Sequence, residues 1–242
     1  MKRVVLYEGE SEYGAYRIIE RVYEGRPARV LFSDRNVPQS GLALDDDPEL
    51  LFDYNQRFLE IALSVQPRSV LVIGGGMLTL PTALFQHFPQ ADINVVEIDS
   101  LLPPLARMYF GAADDSQITV HVEDGRDYMA RATKRYDLII VDAFSGFTIA
   151  HPLLASDIMQ RYKACLTDRG IVAVNFIARY HTYRPAQAHE LYHTFSGVFN
   201  EVLLYPADSH YSKYAEQNIL LIAGDIEPSL DYLHSRPVTL LT

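Results

Sequence analysis

The sequence predicts an α/β protein: a seven-stranded, mostly parallel, doubly wound sheet preceded by a small β-rich N-terminal piece. Three observations carry that expectation. From residue 69 onward, short apolar runs alternate with amphipathic helical patterns with little slack between them. The first of those runs, "SVLVI", stops at three consecutive glycines and restarts as a helix-like stretch. Residues 1–46 have another texture, in which β-rich runs are separated by glycine, proline and acidic turns.

In chain order, Val4–Tyr7, "YRIIERVY" and "RVLFS" read as strands of a hairpin or meander. The period then changes. Leu50, Leu51, Tyr54, Phe58, Ile61, Ala62 and Val65 recur at helical spacing, with Asp47 and Pro48 placed to open the helix. The domain boundary is set there, with residues 47–242 forming the larger, nucleoside-binding domain. Its strands are "SVLVI", "INVVEI", "ITVHV", "YDLIIVDAF" and "GIVAVNF", each followed by a helical pattern. Such near-continuous apolar strands belong to a parallel sheet covered on both faces. The last two, "EVLLY" and "NILLIAG", have no helical pattern between them and are expected to pair as an antiparallel hairpin at one edge.

Composition narrows the function classes. The 242 residues carry a formal charge of −10, which disfavours a general nucleic-acid binder and suits a cationic substrate. No apolar run approaches the ~18 residues needed to cross a bilayer. "MKRVVLYEGESEYG" is too short in its apolar part for a signal peptide. Cys165 is the single cysteine, so no internal disulfide exists and a cytoplasmic location is expected.

Doubly wound sheets bind ligands beyond the carboxyl ends of their strands. Gly74, Gly75 and Gly76 end the first strand and allow close approach of a ligand to backbone N–H groups. Glu97 closes the second strand, where an acid accepts from ribose hydroxyls, with Asp99 as a competitor for that role or for capping the next helix. Asp124 and Gly125, in "EDGRD", follow the third strand; Asp124 suits an adenine amino group or a helix N-cap. Asp142 ends the fourth. After Gly76 the chain reads Met77, Leu78, Thr79, Leu80 instead of completing G-x-G-x-x-G, so a nucleoside without a pyrophosphate is expected.

"VLVIGGG", "VVEID" and "YDLIIVDAFSG" resemble the glycine loop, ribose-binding strand end and catalytic strand end of the spermidine synthase family, the polyamine aminopropyltransferases. "VPQSGLALDDDPELLFDYNQ" is similar to the stretch joining that family's N-terminal piece to its core. The resemblance implies a class I methyltransferase-like fold and an S-adenosyl sulfonium co-substrate, either S-adenosylmethionine or its decarboxylated form. It places Glu97 on the ribose, Asp124 on the adenine, and Asp142 beside the reacting amine as catalytic base. Gln39, Tyr54, Ser145 and Asn175 fall at acceptor positions, with Tyr54 orienting the acceptor. It also implies a homodimer or larger oligomer assembled through the N-terminal piece, acting on a small-molecule amine; charge, apolar run lengths and the lack of a ligand set lead to the expectation of no nucleic acid, membrane or metal.

The departures from the family pattern are specific. The aspartate that usually follows the third glycine and pairs with the aminopropyl amine is Met77, whose thioether is placed against the co-substrate or in packing. The second acid of D-S-S-D-P is Ser145, the glutamine expected after the fifth strand is Asn175, and the acid of Y-x-E is Gln56. Aminopropyl transfer is the family default, and these losses weaken it, because each buried ammonium needs a partner. The alternatives are methyl transfer to a small molecule, or a nucleoside-binding protein without chemistry.

Two further signals are discounted or left open. "HELYH", His189 to His193, matches a zinc-protease helix but lacks a third ligand. The loop "AFSGFTIAHP" reads as a lid or as a plain strand-to-helix connection, with His151 as its helix-side residue.

Overall fold

The structure, a computed structural model, describes residues 2–34, 36–45, 50–114, 118–145, 148–179, 186–208, 215–226, 228, 230, 231 and 233. Asp47 and Pro48, Gly146 and Phe147 of the expected lid, and the side chains of Ser145 and His151 lie outside the described residues.

The N-terminal strands β1 (Val4–Ser11), β2 (Gly14–Tyr23), β3 (Arg26–Ser33) and β4 (Pro38–Ala43) form an antiparallel sheet in sequential order. Glu24 and Gly25, both at positive φ, make the two-residue turn that joins Tyr23 to Arg26. Such a turn matches the twist of the flanking strands. Tyr16, Ile18 and Leu31 pack from this sheet onto the core of the larger domain, while Ile19, Val30 and Phe32 enclose Leu51 on the other side.

That packing corrects the expected start of the first helix. α1 spans Asp53–Val65, with Phe52 in extended conformation as its N-cap. Leu51 is drawn out of the helix to fill the space over Gly41, where an added Cβ would meet its Cδ2 at 2.3 Å. Burial of a leucine side chain is worth ~2 kcal/mol, more than the half-turn of helix forgone.

The larger domain then alternates: β5 (Ser69–Ile73), α2 (Thr79–His87), β6 (Asp92–Glu97), α3 (Leu102–Phe110), β7 (Ile118–Val122), α4 (Gly125–Arg131) and β8 (Tyr136–Val141). A two-residue pair, β9 (Phe144–Ser145) with β10 (Thr148–Ile149), leads to α5 (Ser156–Ala164). The chain continues through β11 (Leu166–Ala178), α6 (Ala186–Ser196), β12 (Glu201–Pro206) and β13 (Gln217–Gly224). The seven strands lie in the order β12-β13-β11-β8-β5-β6-β7. The five from β7 to β11 are parallel, and β13 runs antiparallel to both β11 and β12. The expected terminal hairpin is present, with its second strand inserted next to β11 and its first on the edge.

Successive residues of one strand serve two cores. Val70 and Val72 of β5, with Leu138 and Ile140 of β8, join Phe58, Leu84 and Leu105 from α1, α2 and α3. Leu71 and Ile73, with Ile139 and Val141, join Met129, Ile158 and Phe195 from α4, α5 and α6. Both faces are covered, which is why these strands read as unbroken apolar runs. The strand order reverses between β5 and β8. Among the described residues no helix is long and apolar enough to cross a membrane.

Candidate active site

At that reversal the backbone of Gly74 lies against Asp142. Gly74 N–H donates to Val96 O at 2.9 Å and Asp142 N–H to Ile73 O at 2.8 Å, carrying both strand ends to the same level. Gly74 has φ +96°, and a Cβ on it would fall 2.4 Å from the Asp142 carbonyl oxygen. At Gly76, φ +49°, a Cβ would fall 2.6 Å from Ser40 Oγ. The glycines therefore serve close backbone approach on two sides.

Glu97 is 6% exposed. Its Oε2 accepts from the N–H groups of Gly75 and Gly76, both at 2.8 Å, and its Oε1 from Asp99 N–H at 3.0 Å. Burial raises its pKa above the usual carboxylate range, and those three donors oppose the shift. Glu97 thus holds the glycine loop in shape, an arrangement the strand-end pattern did not reveal.

Asp99 takes the helix-side role. Its Oδ1 accepts from Leu101 N–H at 2.9 Å, and its Oδ2 from the Ser11 hydroxyl at 2.5 Å. The Tyr16 phenol also bonds to it; burial first, then that contact, raises the Tyr16 pKa. Asp99 therefore fastens the N-terminal sheet to the site. Asp124 caps α4, its Oδ1 accepting from Arg126 N–H at 2.7 Å and Asp127 N–H at 3.3 Å. Both it and Gly125 line the cavity.

Asp142 faces the same cavity. Asn175 Nδ2 donates to its Oδ1 at 2.8 Å. Burial pushes the Asp142 carboxyl up to about 7, against the opposing effect of that bond. Asn175 lies within β11 rather than after it, and is fully buried. Tyr54, in the first turn of α1, is stacked on Phe52 with ring centroids 5.9 Å apart and meets Phe58 edge-on at 6.4 Å. Its phenol pKa is raised well above 10, by burial and then by the negative charge of Asp142.

Met77 departs from the position given to it among cofactor contacts. Its side chain is fully buried in the core beside α1 and α2 and is not part of the cavity wall. Met77 stands between Gly76 at φ +49° and Leu78 at φ +55°, the residue that precedes α2 in the left-handed region. Only its backbone faces the loop, donating N–H to Ser40 Oγ at 3.1 Å. Ser40 and Asn218 were missed by the sequence reading. Ser40 is the neighbour of Gln39 in "VPQSG"; Asn218 carried no signal, because its place depends on how β13 pairs. Gln39 lines the cavity and donates weakly to Ser33 Oγ at 3.4 Å. Gln56, in place of the family acid, donates to Leu50 O at 2.6 Å.

The cavity holds about 690 Å³. Glu24, Asp53, Glu97, Asp99, Asp124, Asp142, Asp208 and Glu216 all line it. Among the described residues that line it, no lysine, arginine or histidine is present. His189 and His193 sit on α6 with ring centroids 6.1 Å apart. Among the described residues no group of three or more metal-ligating side chains occurs.

The family model described as spermine/spermidine synthase domain matches residues 52–208, from the start of α1 to the end of β12 and just beyond. The chain belongs to this family. Within it, the polyamine aminopropyltransferase of Vibrio vulnificus is 29% identical over 159 residues, covering 64% of this chain and 52% of the relative. The human eEF1A lysine and N-terminal methyltransferase is 34% identical over 152 residues, 58% of this chain and 20% of the relative. This spermine/spermidine synthase family chain spans about half the length of the first of these relatives and a fifth of the second. A probable spermidine synthase from Corynebacterium glutamicum superposes with a TM-score of 0.79 at 21% identity, over 91% of this chain and 80% of that one. The relatives are transferases of two kinds, and the fold is the one they share.

Proposed function

We propose that this chain is a transferase that binds an S-adenosyl sulfonium nucleoside and alkylates an amine acceptor. The observation that carries the reading is Asp142: a partly buried carboxylate at the strand reversal, backed onto the glycine loop and held by Asn175. Glu97 and Asp124 are assigned to the ribose and the adenine. Carboxylates without a cationic side chain along the described cavity wall suit a sulfonium donor and an ammonium acceptor. Asp142 takes a proton from the acceptor ammonium, the freed nitrogen lone pair attacks the carbon bound to sulfur, and the S–C bond breaks to leave a thioether. A carboxylate with a pKa near 7 is matched to that task. Tyr54 orients the acceptor, with Gln39 further along the wall.

Within this reading, methyl transfer from S-adenosylmethionine is favoured over aminopropyl transfer. Met77 is the supporting observation: its side chain leaves the site, so the position of the family aspartate offers no carboxylate to a free aminopropyl amine and none to repel a methionine carboxylate. Assembly of two or more copies through the N-terminal sheet belongs to the same proposal, supported by the edge strand β1, where Val4 and Val5 are exposed. The test is incubation with each sulfonium and a panel of amines. S-adenosylhomocysteine as product supports methyl transfer, methylthioadenosine supports aminopropyl transfer, and neither product, with no binding of either compound, overturns the proposal.

A further inference from the structure

Asn175 can help a carboxylate base only if its amide presents nitrogen, not oxygen, to Asp142. An amide is nearly symmetric in shape, so packing alone does not select the orientation. Something must act on its other end. Asn175 Oδ1 accepts from Asn218 Nδ2 at 3.0 Å, while Asn175 Nδ2 donates to Asp142 Oδ1 at 2.8 Å. Asn218 belongs to β13, where it pairs with Ile177 of β11, two residues beyond Asn175 and on the same face of the sheet. Its own carbonyl accepts Ala207 N–H at 2.9 Å from the β12 side, so the backbone of Asn218 is fixed between two strands.

We propose that Asn218 is a positioning residue for the transfer reaction, which orients the Asn175 amide so that it donates to the ionised form of Asp142. The inference rests on the reading of Asp142 as the base and adds a residue outside the stretch matched by the family model. Two successive hydrogen bonds, Asn218 to Asn175 and Asn175 to Asp142, thus run from β13 through β11 to the reacting group at the end of β8. Without Asn218 the Asn175 carbonyl loses its partner, and the amide is free to turn its oxygen toward the carboxylate, which favours the protonated acid. Among the described residues, Tyr54 of α1 is a titratable group whose phenol feels the charge of Asp142; Gly74 and Asn175, which approach Asp142 from the glycine loop and β11, carry no charge. Loss of Asn218 leaves Tyr54 in place, and an Asn175→Ala background separates a change that comes through Asn175 from any other.

The test reads Asp142 itself. Its titration is followed by carboxyl carbon NMR in the intact protein, with Asp142→Asn used to assign the signal. In Asn218→Ala the midpoint is expected to rise by about one pH unit, a tenfold loss of the ionised form below it. Asn218→Leu, which keeps a side chain of similar size without the amide, gives the same shift if the alanine variant does not fold. In an Asn175→Ala background, removing Asn218 should move the midpoint no further. An unchanged midpoint in both single variants overturns the proposal, and so does an equal shift with Asn175 absent. No turnover is needed for this measurement, so its failure leaves the transfer reading standing, and absence of turnover leaves the relay testable.

Discussion

Gly74 and Asp142 touch through their backbones: a single added carbon on Gly74 would lie 2.4 Å from the Asp142 carbonyl oxygen. The contact joins the glycine loop to the proposed base at the one place where neighbouring parallel strands lead their chains apart. Gly74→Ala combines that clash with φ +96°, and is expected to cost roughly 2–4 kcal/mol. Denaturant unfolding checks the cost, and the variant should also lose affinity for S-adenosyl compounds.

Asp142 makes stability depend on pH in a defined direction. Its folded-state pKa of about 7 lies above the ~3.9 of an unfolded aspartate, so the fold binds that proton more tightly. The contribution is complete below about pH 4 and is lost as pH rises through about 7, amounting to at most ~4 kcal/mol. Asp142→Asn should therefore unfold at higher denaturant than the parent protein at pH 8, by roughly 2–4 kcal/mol, while its turnover is abolished. Parent turnover should fall on the acid side with a midpoint near pH 7. Undiminished turnover in the asparagine variant would remove Asp142 from the mechanism.

Glu97→Gln replaces a carboxylate that accepts three backbone N–H groups by an amide with one acceptor oxygen. The loop should lose roughly 1–3 kcal/mol of support, and affinity for an S-adenosyl compound should fall at least tenfold in calorimetry. Equal binding by parent and variant would detach Glu97 from the nucleoside site.

Met77→Asp would place the family's aspartate where the chain buries a thioether completely. It should destabilise by more than ~3 kcal/mol without producing aminopropyl transfer, whereas Met77→Leu should cost less than ~1.5 kcal/mol. Thermal unfolding and product analysis separate the two outcomes.

Ser40→Ala leaves the buried N–H of Met77 without its acceptor. The expected loss is about 1–3 kcal/mol, read by denaturant unfolding, with a weaker hold of the N-terminal sheet on the glycine loop.

Strand composition made the two-faced parallel sheet legible in the sequence, because residues such as Val70–Ile73 and Leu138–Val141 must be apolar at every position when both faces are covered. The acids at strand ends and the glycine triplet were legible for a similar reason: they stand where the apolar pattern stops. The start of α1 was not, since Leu51 fits the helical period and leaves it to fill a space over Gly41 that belongs to another sheet. Nor was the direction of Met77, whose side chain lies in the core and which is flanked by two residues at positive φ, Gly76 and Leu78.

The amino-acid sequence by itself determined the layers of this protein, the order in which its strands and helices follow, and which carboxylates end the strands, all of which depend on local pattern. The tertiary structure alone decided that Glu97 serves the glycine loop, that Asp99 binds the N-terminal sheet, and that Asn218 reaches Asn175 and through it Asp142. Those contacts join residues 21 to 88 positions apart, and their partners are chosen by strand order and register, which no local pattern encodes.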